Sequence, residues 1–336
     1  MARFVCFGEI LLRLASAPEQ LLLQDNRLEA SFCGAEANVG IALAGFGHDC
    51  AMTSVLPDNA LGAAATAELR RHGMDVSALT TARGRMGLYF LSPGAMARAS
   101  RVTYDRQGSA LALCDSGQFD WPTLLQRADV LFVSGITPAL GTGPDKALSD
   151  AIMAARDAGV KVAFDSNFRP ALWQGREGEA ATRLRELAEL SDVVFAGRRA
   201  IGLMLGRSIN HPDGDTAFAE ATEAMFEAAP NIRHIAATRR TIISSDHHQL
   251  TALLAARDGV SRSRTVDLHQ IVDRVGTGDA FAAGIVHGLS QRLPGSEIVE
   301  FALACSQWAH SIKGDFLRAS LADIGTMMAG SGDVSR

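Results

Sequence analysis

The stretch RVGTGDAF, Arg274 to Phe281, places a carboxylate directly behind a glycine-rich turn that reads as a helix start. Backbone N–H groups and the macrodipole at a helix N-terminus attract anions. Gly276, Thr277 and Gly278 are therefore candidates for holding one, and Asp279 brings a negative charge to the same place. Two readings are open. Either Asp279 complements the helix dipole and nothing more, or the site holds an anion and removes a proton beside it. The turn lacks the Lys-Ser/Thr ending of a P-loop, and it lies far from the first strand, where a dinucleotide-binding fingerprint begins.

Three other stretches carry polar residues that packing alone does not require: CGAEANVG (33–40), VTYDRQGSA (102–110) and DSNFRP (165–170). Asn38 can serve a ligand or cap a helix. Asp165 and Asn167 can face a substrate or bond the backbone of a turn. Arg169, before Pro170, is a candidate anion ligand or a solvated surface residue.

The elements that must position these residues follow from the apolar pattern. ADVLFVSG (128–135), VKVAFDSN (160–167), SDVVFAG (191–197) and IRHIAATR (232–239) are short apolar runs of buried-strand type. Segments of helical spacing, 144–158, 176–190 and 216–229, alternate with them, and helices at about 279–292 and 296–313 follow. Continuous apolar strands alternating with helices predict a parallel sheet covered on both faces. In such sheets ligands bind where strands end and helices begin. The first third differs. After a strand at 3–8 comes an extended, irregular stretch up to a helix at 35–44, and GLYFLS and SRVTYDRQ read as further strands around the turn PGAMARA. These segments predict a small sheet inserted beside the main one, placed to act as a lid. The tail AGSGDVSR is polar and expected to fray.

Composition excludes several classes. A net charge of −5 without basic runs argues against nucleic acid. No apolar run reaches a membrane-spanning length, and MARFVCFGEI is too short in its apolar part for a signal peptide, so a cytoplasmic location is expected. The five cysteines are scattered without metal-ligand spacing, which suits a reducing compartment.

Taken together, GAEANVGIALAGFG (34–47) and DRVGTGDAFAAG (273–284) make the sequence resemble the ribokinase-like (PfkB) sugar kinases, from Gly8 to about Asp315. The resemblance implies a ribokinase-like three-layer α/β domain over 1–330, mostly parallel in its sheet, with 9–33 and 84–113 as β-lid segments. It implies that the N–H groups of Gly276, Thr277 and Gly278 form an anion hole for a transferring phosphoryl group, while Asp279 takes the proton of the attacking sugar hydroxyl. Donors fixed at a helix end stabilise developing charge without reorganising, and phosphoryl transfer demands mostly positioning and electrostatics. ATP would be the donor and Mg²⁺ would ride mainly on phosphates and water, without a direct protein ligand. Thr238, Arg239, Gly276, Gly278 and Gly314 would meet the nucleotide. A homodimer formed through the lid is the family default.

Within the family the pattern is most similar to kinases of 2-keto-3-deoxygluconate. Tyr104, Arg106 and GSA (108–110), NFRPALW (167–173) and Tyr89 in GLYF carry that similarity. It implies a substrate site of Gly34, Ala35, Asn38, Tyr89, Tyr104, Arg106, Asn167 and Arg169. Two arginines suit an acid, because guanidinium matches a carboxylate bidentately. Kinases of a neutral sugar, a non-catalytic sugar-acid binder and a nicotinamide oxidoreductase are the alternatives. Three places depart from the family pattern. Gly197 and Ala200 stand where Asn-x-x-Glu is usual, a motif whose Glu helps organise the magnesium–phosphate water network. The stretch Ala-Thr-Arg-Arg, ending at Arg240, lacks the commoner Leu-Gly, and Arg274 stands for the commoner Thr. Arg198 and Arg199 are open to two readings, contact with nucleotide phosphates or simple solvation.

Overall fold

The computed structural model describes residues 1–18, 20–211 and 213–330; the tail expected to fray, 331–336, lies outside them. The chain opens with β1 (Arg3–Phe7), β2 (Leu11–Ala15), β3 (Glu29–Cys33), α1 (Ala35–Gly45), β4 (Asp49–Pro57) and α2 (Ala60–Arg71). It continues with β5 (Leu79–Ala82), β6 (Gly87–Ser92), β7 (Arg101–Asp105), α3 (Trp121–Leu125), β8 (Val130–Ser134), α4 (Thr142–Asp157) and β9 (Lys161–Asp165). Then come α5 (Glu177–Glu189), β10 (Val193–Phe195), α6 (Arg198–Met204), α7 (Gly214–Ala228) and β11 (His234–Ile242). The last elements are β12 (His248–Ala256), β13 (Gly259–Leu268), α8 (Thr277–Ser290), α9 (Gly295–His310) and α10 (Leu321–Ala329).

Nine strands form one sheet in the order β13-β12-β11-β10-β9-β8-β1-β4-β5. Pairing is parallel from β5 to β11 and antiparallel from β11 through β13. Side chains alternate across a strand, and here both sides are apolar. Phe4, Cys6, Phe132 and Ala163 pack on one face beneath α1, α8 and α9. Val5, Phe7, Leu131, Val133, Val162 and Phe164 pack on the other beneath α4, α5 and α7. The expected doubly covered sheet is therefore present, with all four central runs as strands. No helix among the described residues is long and apolar enough to cross a membrane.

A second sheet has the order β3-β2-β6-β7, antiparallel except for the central β2–β6 pair. The stretch expected to be extended and irregular before Cys33 thus contributes two paired strands, β2 and β3. Its register puts Arg13 beside Tyr89 and Tyr89 beside Tyr104, a row across three strands. The loop between β6 and β7 reaches the main sheet, where the Ser245 N–H donates to the Met96 carbonyl at 2.9 Å. A second difference lies at β11: the apolar run ends at residue 239, whereas the strand runs on to Ile242 because its outer part pairs with β12. Thr238 and Arg239 lie inside the strand.

Candidate active site

A cleft of about 2300 Å³ runs between the C-terminal ends of the parallel strands and the small sheet. The N-terminus of α8 forms part of its wall. Gly276 there has φ 78°, and a Cβ on it would collide with the Asp315 carbonyl oxygen, so only glycine makes this turn. The Thr277 hydroxyl donates to the Arg274 carbonyl at 3.0 Å and its own carbonyl accepts from Ser306 Oγ at 3.0 Å. Among the described residues nothing accepts from the N–H groups of Gly276, Thr277 and Gly278. They remain for a ligand.

Asp279 sits in the first turn of α8. Asn38 Nδ2 donates to its Oδ2 at 2.6 Å, while Asn38 Oδ1 accepts from the Gly34 N–H at 3.3 Å. Asn38 lies a full turn inside α1, whose N-cap is Gly34, so it orients Asp279 and does not cap. Gly34 allows that helix start because a Cβ would strike the Glu9 carbonyl oxygen. Burial pushes the Asp279 carboxyl up to about 8; Asp165 and Asp315 add to the rise, and Asn38 and Arg169 oppose it.

Two further acids belong to the same end. Asp165, at the C-terminus of β9, is raised to about 6 by burial, against the pull of Arg169 and the Asn167 N–H. Asn167, at φ 35°, bonds Asp165 through both its N–H (3.0 Å) and Nδ2 (3.2 Å), so its amide is engaged in the turn and only its Oδ1 is free. Glu36 is fully buried against Gly8, accepts from Ser134 Oγ at 2.5 Å and is raised to about 7 by burial. Ala35 and Arg169 line the cleft beside them, and the Arg169 side chain is exposed.

The small sheet supplies the opposite wall. The rings of Tyr89 and Tyr104, the only tyrosines of the chain, lie 6.3 Å apart. Tyr89 is buried, with its OH donating to Asp315 Oδ2 at 2.8 Å, so its hydroxyl braces the cleft. Arg106 is buried as well; its Nε donates to Glu9 Oε2 at 2.5 Å and its guanidinium lies 5.9 Å from the Tyr104 ring centre. Its two Nη groups have no acceptor among the described residues. Beside them Arg13 joins two acids, Asp315 at 2.6 Å and Asp273 at 2.5 Å. Burial alone would lower the Arg13 pKa, but Asp315, Tyr89 and Asp273 raise it on balance and keep the guanidinium charged.

On the far side of the anion-binding turn, Thr238 and Arg239 line the cleft from β11, with Arg239 held by Asp215 at 2.6 Å. Gly314, at φ 98°, donates its N–H to Asp273 Oδ2 at 3.2 Å and lies between two cleft-lining residues, Lys313 and Asp315. Gly197 and Ala200 also line the cleft, at the start of α6. Arg198 next to them donates to the Ile209 carbonyl at 2.9 Å.

Residues 1–316 match the profile of the pfkB family carbohydrate kinases. The chain belongs to that family. The kinase is 30% identical over 303 residues to the 2-dehydro-3-deoxygalactonokinase of Haloferax volcanii, covering 90% of this chain and 88% of that one. It is 27% identical over 297 residues to the 2-dehydro-3-deoxygluconokinase of Bacillus subtilis, at 88% and 86% coverage. The crystal structure of the 2-dehydro-3-deoxygluconokinase of Thermotoga maritima superposes with a TM-score of 0.94 at 34% identity, over 98% of this kinase and all of that chain.

Sequence reasoning brought Asp279, Asn38, Gly34, Arg106 and Tyr104 to one cleft. It missed Arg13 in the middle of β2, Glu9 in the connection between β1 and β2, and Glu36 in the first turn of α1, each a charged residue among apolar or small neighbours. That pattern, a charge in a run whose alternation points it inward, was the available signal.

Removing one member of a buried ion network leaves the others uncompensated, at a cost of about 3–5 kcal/mol. Arg13→Ala in this kinase should lower the urea midpoint accordingly and loosen the small sheet, with faster hydrogen exchange at β2 and β6; unchanged exchange there would show that Arg13 does not fix the sheet. A second prediction concerns Asp279. Its folded-state pKa of about 8 exceeds its unfolded value of 3.8, so the folded kinase holds the extra proton and its contribution to stability is lost as pH rises from about 4 to about 8. Asp279→Asn removes that loss. Its Tm relative to wild type should climb steadily between pH 5 and pH 8 and then level off; a flat difference would place Asp279 ionised throughout.

Proposed function

We propose that this kinase transfers the γ-phosphoryl group of ATP to the 6-hydroxyl of 2-keto-3-deoxygluconate. The observation that carries the reading is the meeting of a proton acceptor, Asp279, with three free N–H groups at the α8 terminus, between arginines on two walls. The names borne by the relatives support the choice of acid.

In this mechanism the sugar acid lies between Gly34, Asn38 and the small sheet, with its 6-hydroxyl against Asp279. Asn38 holds Oδ2 of Asp279 and leaves Oδ1 for the hydroxyl. As the hydroxyl oxygen bonds the γ-phosphorus, its proton passes to Asp279 and the bond to the β-phosphate oxygen breaks, releasing ADP. The N–H groups of Gly276, Thr277 and Gly278 stabilise the charge of the phosphoryl oxygens in transit. Among the described residues the group with metal-ligand spacing, His247, Asp267 and His269, lies outside the cleft, so Mg²⁺ would be held mainly through the nucleotide phosphates and water. When bound, the ion neutralises phosphate charge and so eases departure of ADP. Arg106, its plane fixed by Glu9, turns its Nη pair to the acid's carboxylate, and Arg169 reaches the same end from the β9 side.

The Haloferax relative favours a second acid, the galactonate epimer, so a coupled ATP assay compares both epimers with fructose. Turnover of fructose in preference to either acid overturns the substrate assignment. A general base contributes about 10²–10⁴-fold, and Asp279→Asn should lower kcat by that order with substrate affinity kept. The kcat/KM of wild type should rise with pH to a plateau above about 8, following ionisation of Asp279 in the free enzyme, and the variant should lose that rise. Retention of a third of the wild-type rate would leave Asp279 as a helix-dipole partner only. A charge-assisted hydrogen bond is worth roughly 1.5–3 kcal/mol. Arg106→Gln and Arg169→Ala should therefore each cut kcat/KM for the acid by about 10–150-fold and shrink its preference over fructose. An equal loss on both substrates would assign the arginines to bracing.

A further inference from the structure

Arg239 and Arg240 are neighbours on β11 with opposite fates. Arg239 is tied to Asp215. Arg240 points to the other side of the strand, across from Leu250, and lines the cleft together with Arg274, two residues before the anion-binding turn. Among the described residues the side chains of Arg240 and Arg274 make no hydrogen bond or ion pair. They are close enough that the charge of Arg274 lowers the pKa of Arg240, after burial, and burial lowers that of Arg274 too. Two like charges lining one cleft, with no acid paired to either, ask for an anion.

The wall behind them is polar and unsatisfied. His310, 3% exposed at the end of α9, lines the cleft; its Nδ1 lies 2.7 Å from the Ser306 carbonyl and must carry the proton there. That leaves Nε2 an acceptor, and nothing donates to it. Beneath lies His248, wholly buried with both ring nitrogens unpartnered. An anion pocket with an adjoining acceptor for a hydroxyl or amine matches a nucleotide, which carries phosphates, ribose hydroxyls and an exocyclic amine.

Gly197 and Ala200, which carry no charge, line the same cleft, so no acid from the start of α6 balances the two arginines. We propose that Arg240 and Arg274 form a clamp that grips the phosphates of the nucleotide on the side away from the sugar and takes over part of the charge neutralisation otherwise left to the metal. The proposal rests on the kinase reading only in taking the nucleotide as the ligand, not in the identity of the sugar.

The test uses the full chain with ADP and adenosine as probes, by titration calorimetry with no sugar present, in magnesium and again in EDTA. Arg240→Gln and Arg274→Gln break no contact within the protein, so both should fold as wild type does. Each should weaken ADP binding about 10–150-fold, more in EDTA than in magnesium, while adenosine affinity holds. Arg274→Lys should restore part of the loss, since a point charge keeps the attraction without the fork. ADP affinity unchanged in the double variant overturns the clamp. So does a parallel loss of ADP and adenosine, which marks damage to the base pocket, and so does a rise confined to the KM of the sugar acid. If ADP behaves as expected but no sugar acid is phosphorylated, the clamp stands and the substrate assignment falls.

Discussion

One buried guanidinium holds the cleft in shape. Arg13 comes from the small sheet, and its two carboxylates come from segments 260 and 302 residues further along the chain. Asp273 accepts from the N–H groups of Arg274 and Val275 with one oxygen and from Gly314 with the other. It thereby shapes the turn that leads into α8. Asp315 receives the Tyr89 hydroxyl, and its carbonyl sits where a Cβ of residue 276 would be. The anion-binding turn, the segment after α9 and the small sheet therefore share one charge. A buried ion pair adds little net stability compared with apolar packing, but it fixes geometry, because any displacement exposes an uncompensated charge. Here the geometry fixed is the distance between the small-sheet wall of the cleft and the glycine turn at the start of α8.

The remaining charges divide along the cleft. At the acceptor end three acids, Glu36, Asp165 and Asp279, crowd together and are raised by burial. At the far end two arginines face the cleft without an acid. Each half is destabilised when empty, and a ligand of the right charge relieves it. Binding energy gained this way orients the reactants, which is the larger part of what phosphoryl transfer asks of a protein. It also explains why a carboxylate intended to accept a proton can have so high a pKa in the free protein. Desolvation that raises the Asp279 pKa also strengthens it as a base once cationic partners arrive.

Legibility in the sequence followed range. The α8 turn was readable because its glycines, its helix and Asp279 are contiguous, and the parallel strands because apolar runs report burial on both faces. The antiparallel edge was not. In β12 and β13 polar residues interleave with apolar ones, and residues 240–242 of β11 lay beyond its apolar run because the pairing that makes them strand comes from residues 248–250. β2 and β3 were hidden by the connection between them, since β2 pairs with β6, more than seventy positions away. The site divided in the same way. Asn38 was open to a ligand or a cap role, and with α8 beside it the side chain holds Asp279; Tyr89 lines the cleft while its hydroxyl is held by Asp315. Glu9, Arg13 and Glu36 gain meaning only from Arg106, Asp273, Asp315 and Ser134, all distant in sequence.

The Glu9–Arg106 pair bears on how an acid can be preferred at all. A free guanidinium would draw any anion, the nucleotide included, into the sugar end of the cleft. With Glu9 at 2.5 Å the net charge of the pair is zero, and long-range attraction goes with it. What survives is direction: two Nη donors held in a fixed plane over the Tyr104 ring. A site built to hydrogen-bond a group rejects an analogue that lacks it far more strongly than an apolar pocket rejects an extra methylene, because the buried donors are left unpaired. Neutralising Arg106 thus exchanges affinity for discrimination, and it leaves the unpaired arginines at the opposite end as the stronger attractor for the more highly charged ligand. In the proposed reading the two ends differ in their counter-charges: Glu9 neutralises Arg106 at the sugar end, where Arg169 supplies the remaining cation, and no acid pairs with Arg240 or Arg274 at the other.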